Sequence, residues 1–140
     1  MKSFRVNKYE SNDGYCRPNL FSPKEIEYLK SQRLLRIATV STDSQPHVEP
    51  VGFDFDGKDF YVSGYRLKKT RRYRNIQTNP KVALTIDDLA SVNPWQPRGL
   101  IVYGQAELTT REGYAGPGTY IRIHPDRKWS WGIDKPVQIP

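Results

Sequence analysis

From Leu34 onward the chain is written in short apolar and β-branched runs broken by turn residues, and this punctuation is what most restricts its fold. Residues 35–40 form the first run, Asp43-Ser44-Gln45 a turn, and residues 46–54 a second run. Asp56-Gly57 is a strong signal for a tight antiparallel hairpin. The third strand covers 58–63 and ends at Gly64, and 81–87 is a fourth. Residues 88–98, with Pro94, Trp95 and Pro97, read as a long loop. The strand over 99–109 is apolar on both faces at Leu100, Ile101 and Val102, which places it centrally in a sheet. Glycines and Pro117 break the chain at 113–118, and two last short strands are expected over 120–124 and 128–133.

Two helices interrupt this pattern. Ser22 is an N-cap, Pro23 takes the first helical position, and Glu25 completes a capping box, with Phe21 and Ile26 at staple positions. That helix runs to about Gln32 and buries Ile26 and Leu29. A second covers 70–78 and stops at Asn79-Pro80. Six or seven antiparallel strands with two short helices define a mainly β, α+β fold closing as a small barrel. Residues 1–20 are polar and read as an N-terminal arm. The domain spans 21–134 and a tail follows at 135–140.

The second helix opens inside a dense basic cluster. Arg66, Lys68, Lys69, Arg71, Arg72 and Arg74 put six positive charges into nine residues. A helix start already carries partial positive charge, so cations there are mildly destabilising unless an anion joins them. Free amides, the Thr70 hydroxyl and guanidinium groups converging on one spot make a phosphate cradle. A solvated basic face is the plain alternative. Nucleic acid is a weaker reading, because the charges sit in one loop and turn rather than along a groove.

Other chemistry is scarce. His47 and His124 are the two histidines, and neither has a second His, Cys or carboxylate at metal-ligand spacing, so surface or hydrogen-bonded roles are expected. Asp87-Asp88 reads as a solvated strand end rather than a metal pair. No nucleophile elbow, Walker loop or dinucleotide fingerprint is present. A chain with a phosphate cradle and no acid, base or nucleophile of its own fits a borrowed reactive group, with a cofactor doing the chemistry. The net charge of +7 favours an anionic ligand. An apolar fraction of 36% with 12% aromatics leaves half-buried surface for a partner or second copy. Cys16 is the single cysteine, which excludes an intrachain disulfide and fits a reducing compartment. No apolar stretch approaches a membrane span or a signal-peptide core, so a cytoplasmic protein without membrane contact is expected.

Taken in order, several motifs resemble those of the pyridoxamine 5'-phosphate oxidase-like split-barrel flavoproteins, and most closely the branch of deazaflavin-dependent oxidoreductases that use coenzyme F420. They are Ala38-Thr39-Val40-Ser41, Gln45 through Phe53, and Thr70-Arg71-Arg72-Tyr73-Arg74-Asn75 with Asn79-Pro80-Lys81-Val82. Later come Trp95-Gln96-Pro97-Arg98-Gly99, Ile123-His124-Pro125 and Ser130-Trp131-Gly132. The resemblance implies a six-stranded FMN-binding split barrel, a homodimer with two cofactor sites at the subunit interface.

It also implies site roles. Glu49, Pro50, Val51, Gly52 and Phe53 line the ring system, Ser63 and Gly64 lie beside the ring-to-tail chain, and Thr70, Arg71 and Arg72 hold the phosphate. Arg98 and Trp131 match late motifs that reach the same pocket from the partner subunit. The sequence departs from the family's pattern at three places, the first altering how a phosphate is gripped and the other two weighing against flavin mononucleotide (FMN) and for F420. The phosphate turn is Thr-Arg-Arg rather than Ser-Arg-Lys; Glu49 stands where the oxidases place a flavin-contacting Arg; and the 65–69 loop is longer. Arg66, Lys68 and Lys69 on that loop match the anionic glutamyl tail of the deazaflavin. The implied activity is hydride transfer to or from a small organic substrate, with no catalytic side chain assigned and water or Tyr65 supplying the proton. An FMN oxidase or reductase and a non-catalytic flavin- or deazaflavin-binding protein are the alternatives.

Overall fold

The computed structural model describes residues 19–137 together with the backbone of 9–10 and 16–17. The remaining arm residues, the side chain of Cys16 and the end of the tail lie outside the described residues. Two paired segments, β1 (Tyr9–Glu10) and β2 (Cys16–Arg17), precede the body. The body contains α1 (Pro23–Ser31), β3 (Leu34–Val40), β4 (Pro46–Gly52), β5 (Asp54–Phe55) and β6 (Phe60–Val62). A 3-10 turn (Leu67–Lys69) leads into α2 (Arg71–Thr78), followed by β7 (Lys81–Ser91), β8 (Gln96–Gly113) and β9 (Gly116–Trp131).

The strands build one antiparallel sheet of seven, in the order β4-β3-β7-β8-β9-β6-β5, rather than the six implied by the resemblance. The extra strand arises because Phe53 divides the 46–54 run into β4 and β5. The sheet's two margins are thus consecutive in the chain, joined through one residue. Its ladder does not close, yet the chain forces it to curl back on itself.

Two other expectations change. The 88–98 loop is mostly strand, because β7 and β8 run on to Ser91 and from Gln96, with only 92–95 turning. The two short strands expected at the end are one 16-residue strand, β9. Pro125, which cannot donate to a ladder, is accommodated where the register shifts between Tyr103 and Gly104. β8 occupies the central position expected for it.

Alternation places Leu35 and Ile37 of β3, Leu84 and Ile86 of β7, Leu100 and Val102 of β8, and Ile121 and Ile123 of β9 in the core. Each contributes about 1.5–3 kcal/mol by leaving water. Phe60 of β6 is fully buried, with the rings of Phe21, Phe53 and Phe55 at 6.0, 5.9 and 4.7 Å. The capping box of α1 forms as the sequence predicts. Leu29 is buried, but Tyr28 rather than Ile26 joins it, with Ile26 half-buried against the core.

The capping Glu25 is itself fully buried and ties α1 to β9. Its carboxylate accepts from Lys128 Nζ at 2.7 Å, Ser130 Oγ at 2.5 Å and the Ser22 amide at 2.9 Å. Burial pushes the carboxyl up, but Lys128, Ser130 and the Ser22 amide together hold it below its ordinary 4.5. A lowered folded-state value means the stabilisation is fully present above the unfolded value and is lost as pH falls through the folded one. Glu25→Gln is therefore expected to destabilise the protein near pH 7, with the gap from wild type narrowing below about pH 4. Urea denaturation at pH 7 and pH 3.5 checks this, and a gap independent of pH would refute the linkage.

Candidate functional site

Thr70 caps α2 as the sequence predicts, but capping uses up its hydroxyl. Oγ1 donates to the Leu67 carbonyl at 2.7 Å and accepts the Tyr73 amide at 3.2 Å. It has no proton left for a phosphate. Arg71 is exposed at the first helical position. Arg72, expected to point at a ligand, is instead buried at 5% exposure. Its Nη1 lies 2.9 Å from Glu49 Oε1, and its Nη2 donates to the Ser63 carbonyl at 2.6 Å. Its Nε is buried with no hydrogen-bond partner. A buried N–H of this kind costs about 1–3 kcal/mol unless something accepts from it.

Gly64 makes this approach possible. A Cβ there would stand 2.5 Å from Arg72 Nη2, and its φ of +148° also favours glycine. Ser63 is fully engaged: its carbonyl takes Arg72, its Oγ donates to the Thr119 carbonyl at 3.0 Å, and its amide donates to Tyr114 Oη at 2.8 Å. Tyr114 sits at the tip of the β8–β9 hairpin, its amide held by Asp54 Oδ2 at 2.9 Å. Its ring lies over Gly52, where a Cβ would meet Cε2 at 2.9 Å. Burial raises the phenol pKa, while the Ser63 amide and Arg72 oppose the shift.

Val51 of β4 and Phe53 just after it turn their side chains into the core, so only their backbone can face a ligand. Pro50 is exposed, and Glu49 keeps a quarter of its side chain in water with His47 Nε2 3.3 Å from its Oε2. Beside Ser63 and Gly64 opens a groove of ≈ 610 Å³ between the 66–69 segment and the hairpin residues 115–120. Arg66, Lys68 and Lys69 line it and have no acidic partner among the described residues. Arg66 adopts a left-handed backbone (φ 56°), with its guanidinium 5.3 Å over the Tyr65 ring.

The structure therefore brings Glu49, Gly52, Ser63, Gly64, Arg66, Lys68, Lys69 and the start of α2 together. It does not bring Arg98 or Trp131 to them within one subunit. Trp131 pairs with Gly99 and Ile121 with Leu108, nine residues along β8, or about 30 Å. Arg98 is instead clamped on Asp88 at 2.7 and 3.0 Å and stacks on Tyr28 at 4.9 Å. Asp87 pairs with Arg36 at 2.5 Å, so both neighbouring aspartates serve ion pairs. His124 bridges the buried Asp59 at 3.4 Å and Glu107 at 2.6 Å. Among the described residues no group of three His, Cys, Asp or Glu could hold a metal, and no helix is long and apolar enough to cross a membrane.

The site thus lies on an unclosed, seven-stranded antiparallel sheet whose two margins, β4 and β5, are consecutive in the chain. The chain belongs to the pyridoxamine 5'-phosphate oxidase family, whose model matches residues 22–127. It is 33% identical over 120 residues, covering 81% of this chain and 84% of the other, to a 5a,11a-dehydrotetracycline/5a,11a-dehydrooxytetracycline reductase of Streptomyces rimosus. Among solved structures it is similar to an F420 reductase, with a TM-score of 0.60 and 25% identity over 77% of this chain and 98% of that one. It shares the fold of a conserved hypothetical protein, Rv2991, from Mycobacterium tuberculosis, with a TM-score of 0.65 and 20% identity over 95% and 97% of the two chains.

Proposed function

We propose that the protein is an oxidoreductase that binds coenzyme F420 and transfers a hydride to or from a small organic substrate. The observation that carries this reading is the groove at Ser63 and Gly64, walled by three cations with no acidic partner among the described residues. The reductase similarity supports the reaction class, and the F420 reductase similarity supports the cofactor. The site residues fit such a group: a buried Arg72 Nε lacks an acceptor, and Gly64 lets the Arg72 guanidinium reach the rim of the groove. When bound, the deazaflavin supplies the hydride chemistry. The protein holds and orients. Arg72 and the amides opening α2 would hold the phosphate, and Arg66, Lys68 and Lys69 the carboxylates of the tail. The unpaired edge of β4 would offer backbone groups to the ring, and Tyr114, packed over Gly52, would exclude water on that side.

A second copy of the chain completes the site in this reading. The sheet's outer face carries exposed Val48 and Trp129, with half-exposed Ile101 and Tyr103 between them on β8. Covering these apolar groups favours a homodimer.

The test is a fluorescence titration of F420 with the purified protein, alongside light scattering. Quenching at one coenzyme per chain, on a particle of dimer mass, is expected. Replacing Arg66, Lys68 and Lys69 together by alanine is expected to weaken binding about tenfold, since exposed pairs give about 0.2–1 kcal/mol each. A yellow preparation releasing FMN, with no response to F420, would overturn the deazaflavin reading.

A further inference from the structure

We propose that Glu49 is the specificity residue for the cofactor's phosphate: by claiming one arm of the Arg72 guanidinium, it suits the anchor to a singly charged phosphodiester and against a doubly charged phosphomonoester. This deepens the reading under Proposed function and rests on it.

The argument is a count of charges and donors. Of the trio at the helix start, Thr70 has given its proton to the Leu67 carbonyl. Arg72 has Nη1 on Glu49 at 2.9 Å and Nη2 on the Ser63 carbonyl at 2.6 Å, leaving Nε as its unpartnered nitrogen. The carboxylate neutralises the guanidinium charge where the anion would bind, and at 6% side-chain exposure for Arg72 solvent screens this pair little. His47 at 3.3 Å holds the other oxygen of Glu49 and so steadies the carboxylate. Lys69, Arg71 and Arg74 around the helix start have no short ion pair among the described residues, but all three are exposed, so water screens them where it does not screen Arg72.

Pairing with Glu49 removes one positive charge from the buried part of the anchor and leaves it a single free N–H, which suits a less charged phosphate. A phosphomonoester such as FMN carries about −1.5 to −2 near neutral pH and would lie beside the Glu49 carboxylate with charge unmatched. The phosphate of F420 is a diester with one charge. Its further anionic groups lie along the tail, and Arg66, Lys68 and Lys69 line the groove beside Ser63 and Gly64.

The experiment compares riboflavin, FMN and F420 binding to wild type, Glu49→Gln and Glu49→Asp by fluorescence titration, with thermal melts of each. Riboflavin and FMN share one ring, so their affinity ratio isolates the phosphate. In wild type that ratio is expected within about tenfold. Glu49→Gln, which keeps an oxygen for Nη1, is expected to raise it at least tenfold, with FMN gaining more than F420. Glu49→Asp keeps the charge and the wild-type ratio. A wild-type ratio above a hundredfold overturns the proposal without any variant, as does an equal gain for riboflavin and FMN in Glu49→Gln. Those outcomes leave F420 binding intact. If wild type binds none of the three, the reading under Proposed function falls, and this inference falls with it.

Discussion

Replacing Arg72 by alanine is expected to lower stability by about 3 kcal/mol and to weaken cofactor binding at least tenfold. Breaking a buried ion pair from one side typically costs about 3–5 kcal/mol, because the partner is left charged and unmatched. Glu49 keeps a quarter of its side chain in water and has His47 beside it, so the lower end applies. The Ser63 carbonyl also loses its 2.6 Å donor. Arg72→Lys is no remedy: an ammonium is a point charge and cannot span Glu49 and Ser63 as the planar fork does. Urea denaturation and an F420 titration read the two effects separately. Full stability in Arg72→Ala would remove the pair from the frame of the site. Unchanged affinity would remove Arg72 from the anchor.

Phe60→Ala should be at least as damaging, by about 3–5 kcal/mol, the range for a large aromatic deleted from a packed core. Phe60 has no exposure, and it packs against Phe53 at 5.9 Å and Phe55 at 4.7 Å, the residues on either side of Asp54. A cavity there loosens the link between β4 and β5, so β4 loses its support. Chemical denaturation gives the loss. A shift under about 1 kcal/mol would mean that the neighbouring rings collapse into the space and that the aromatic cluster does not fix the link.

The helices were legible because their signals are local. Ser22, Pro23 and Glu25 lie within four residues, and Thr70 needs only Tyr73 to act as a cap. Strand lengths were less legible because prolines mislead a period-2 reading. Pro97 pairs with Leu89 beside a register shift, and Pro125 pairs with Gly104 beside another, so both strands continue where a regular ladder would stop. The basic segment was recognisable as a cluster, but its division of labour was not. Which cation is buried depends on Glu49, 23 positions upstream of Arg72, and on a Ser63 carbonyl that Gly64 leaves open. Tyr114 went unnoticed for the same reason: its partners Gly52, Asp54 and Ser63 are all more than fifty positions away, and nothing periodic announces them. A tyrosine between glycines at a hairpin tip was the available signal. Arg98 and Trp131 mark the opposite limit, since a motif match fixes residue type but not the end of a long strand on which it falls.

Placing β4 at the rim of the sheet has one further effect. A strand flanked on both sides has spent its amides and carbonyls on neighbours, whereas one margin of this strand has backbone groups left over. Pro46 and Pro50, which would spoil an interior ladder, are harmless there and discourage another chain from pairing along it. What remains is a short, partly blocked row of main-chain donors and acceptors on β4, close to the Glu49–Arg72 pair. In the proposed reading such a row would grip a flat heterocycle by its polar edge whatever side chains surround it.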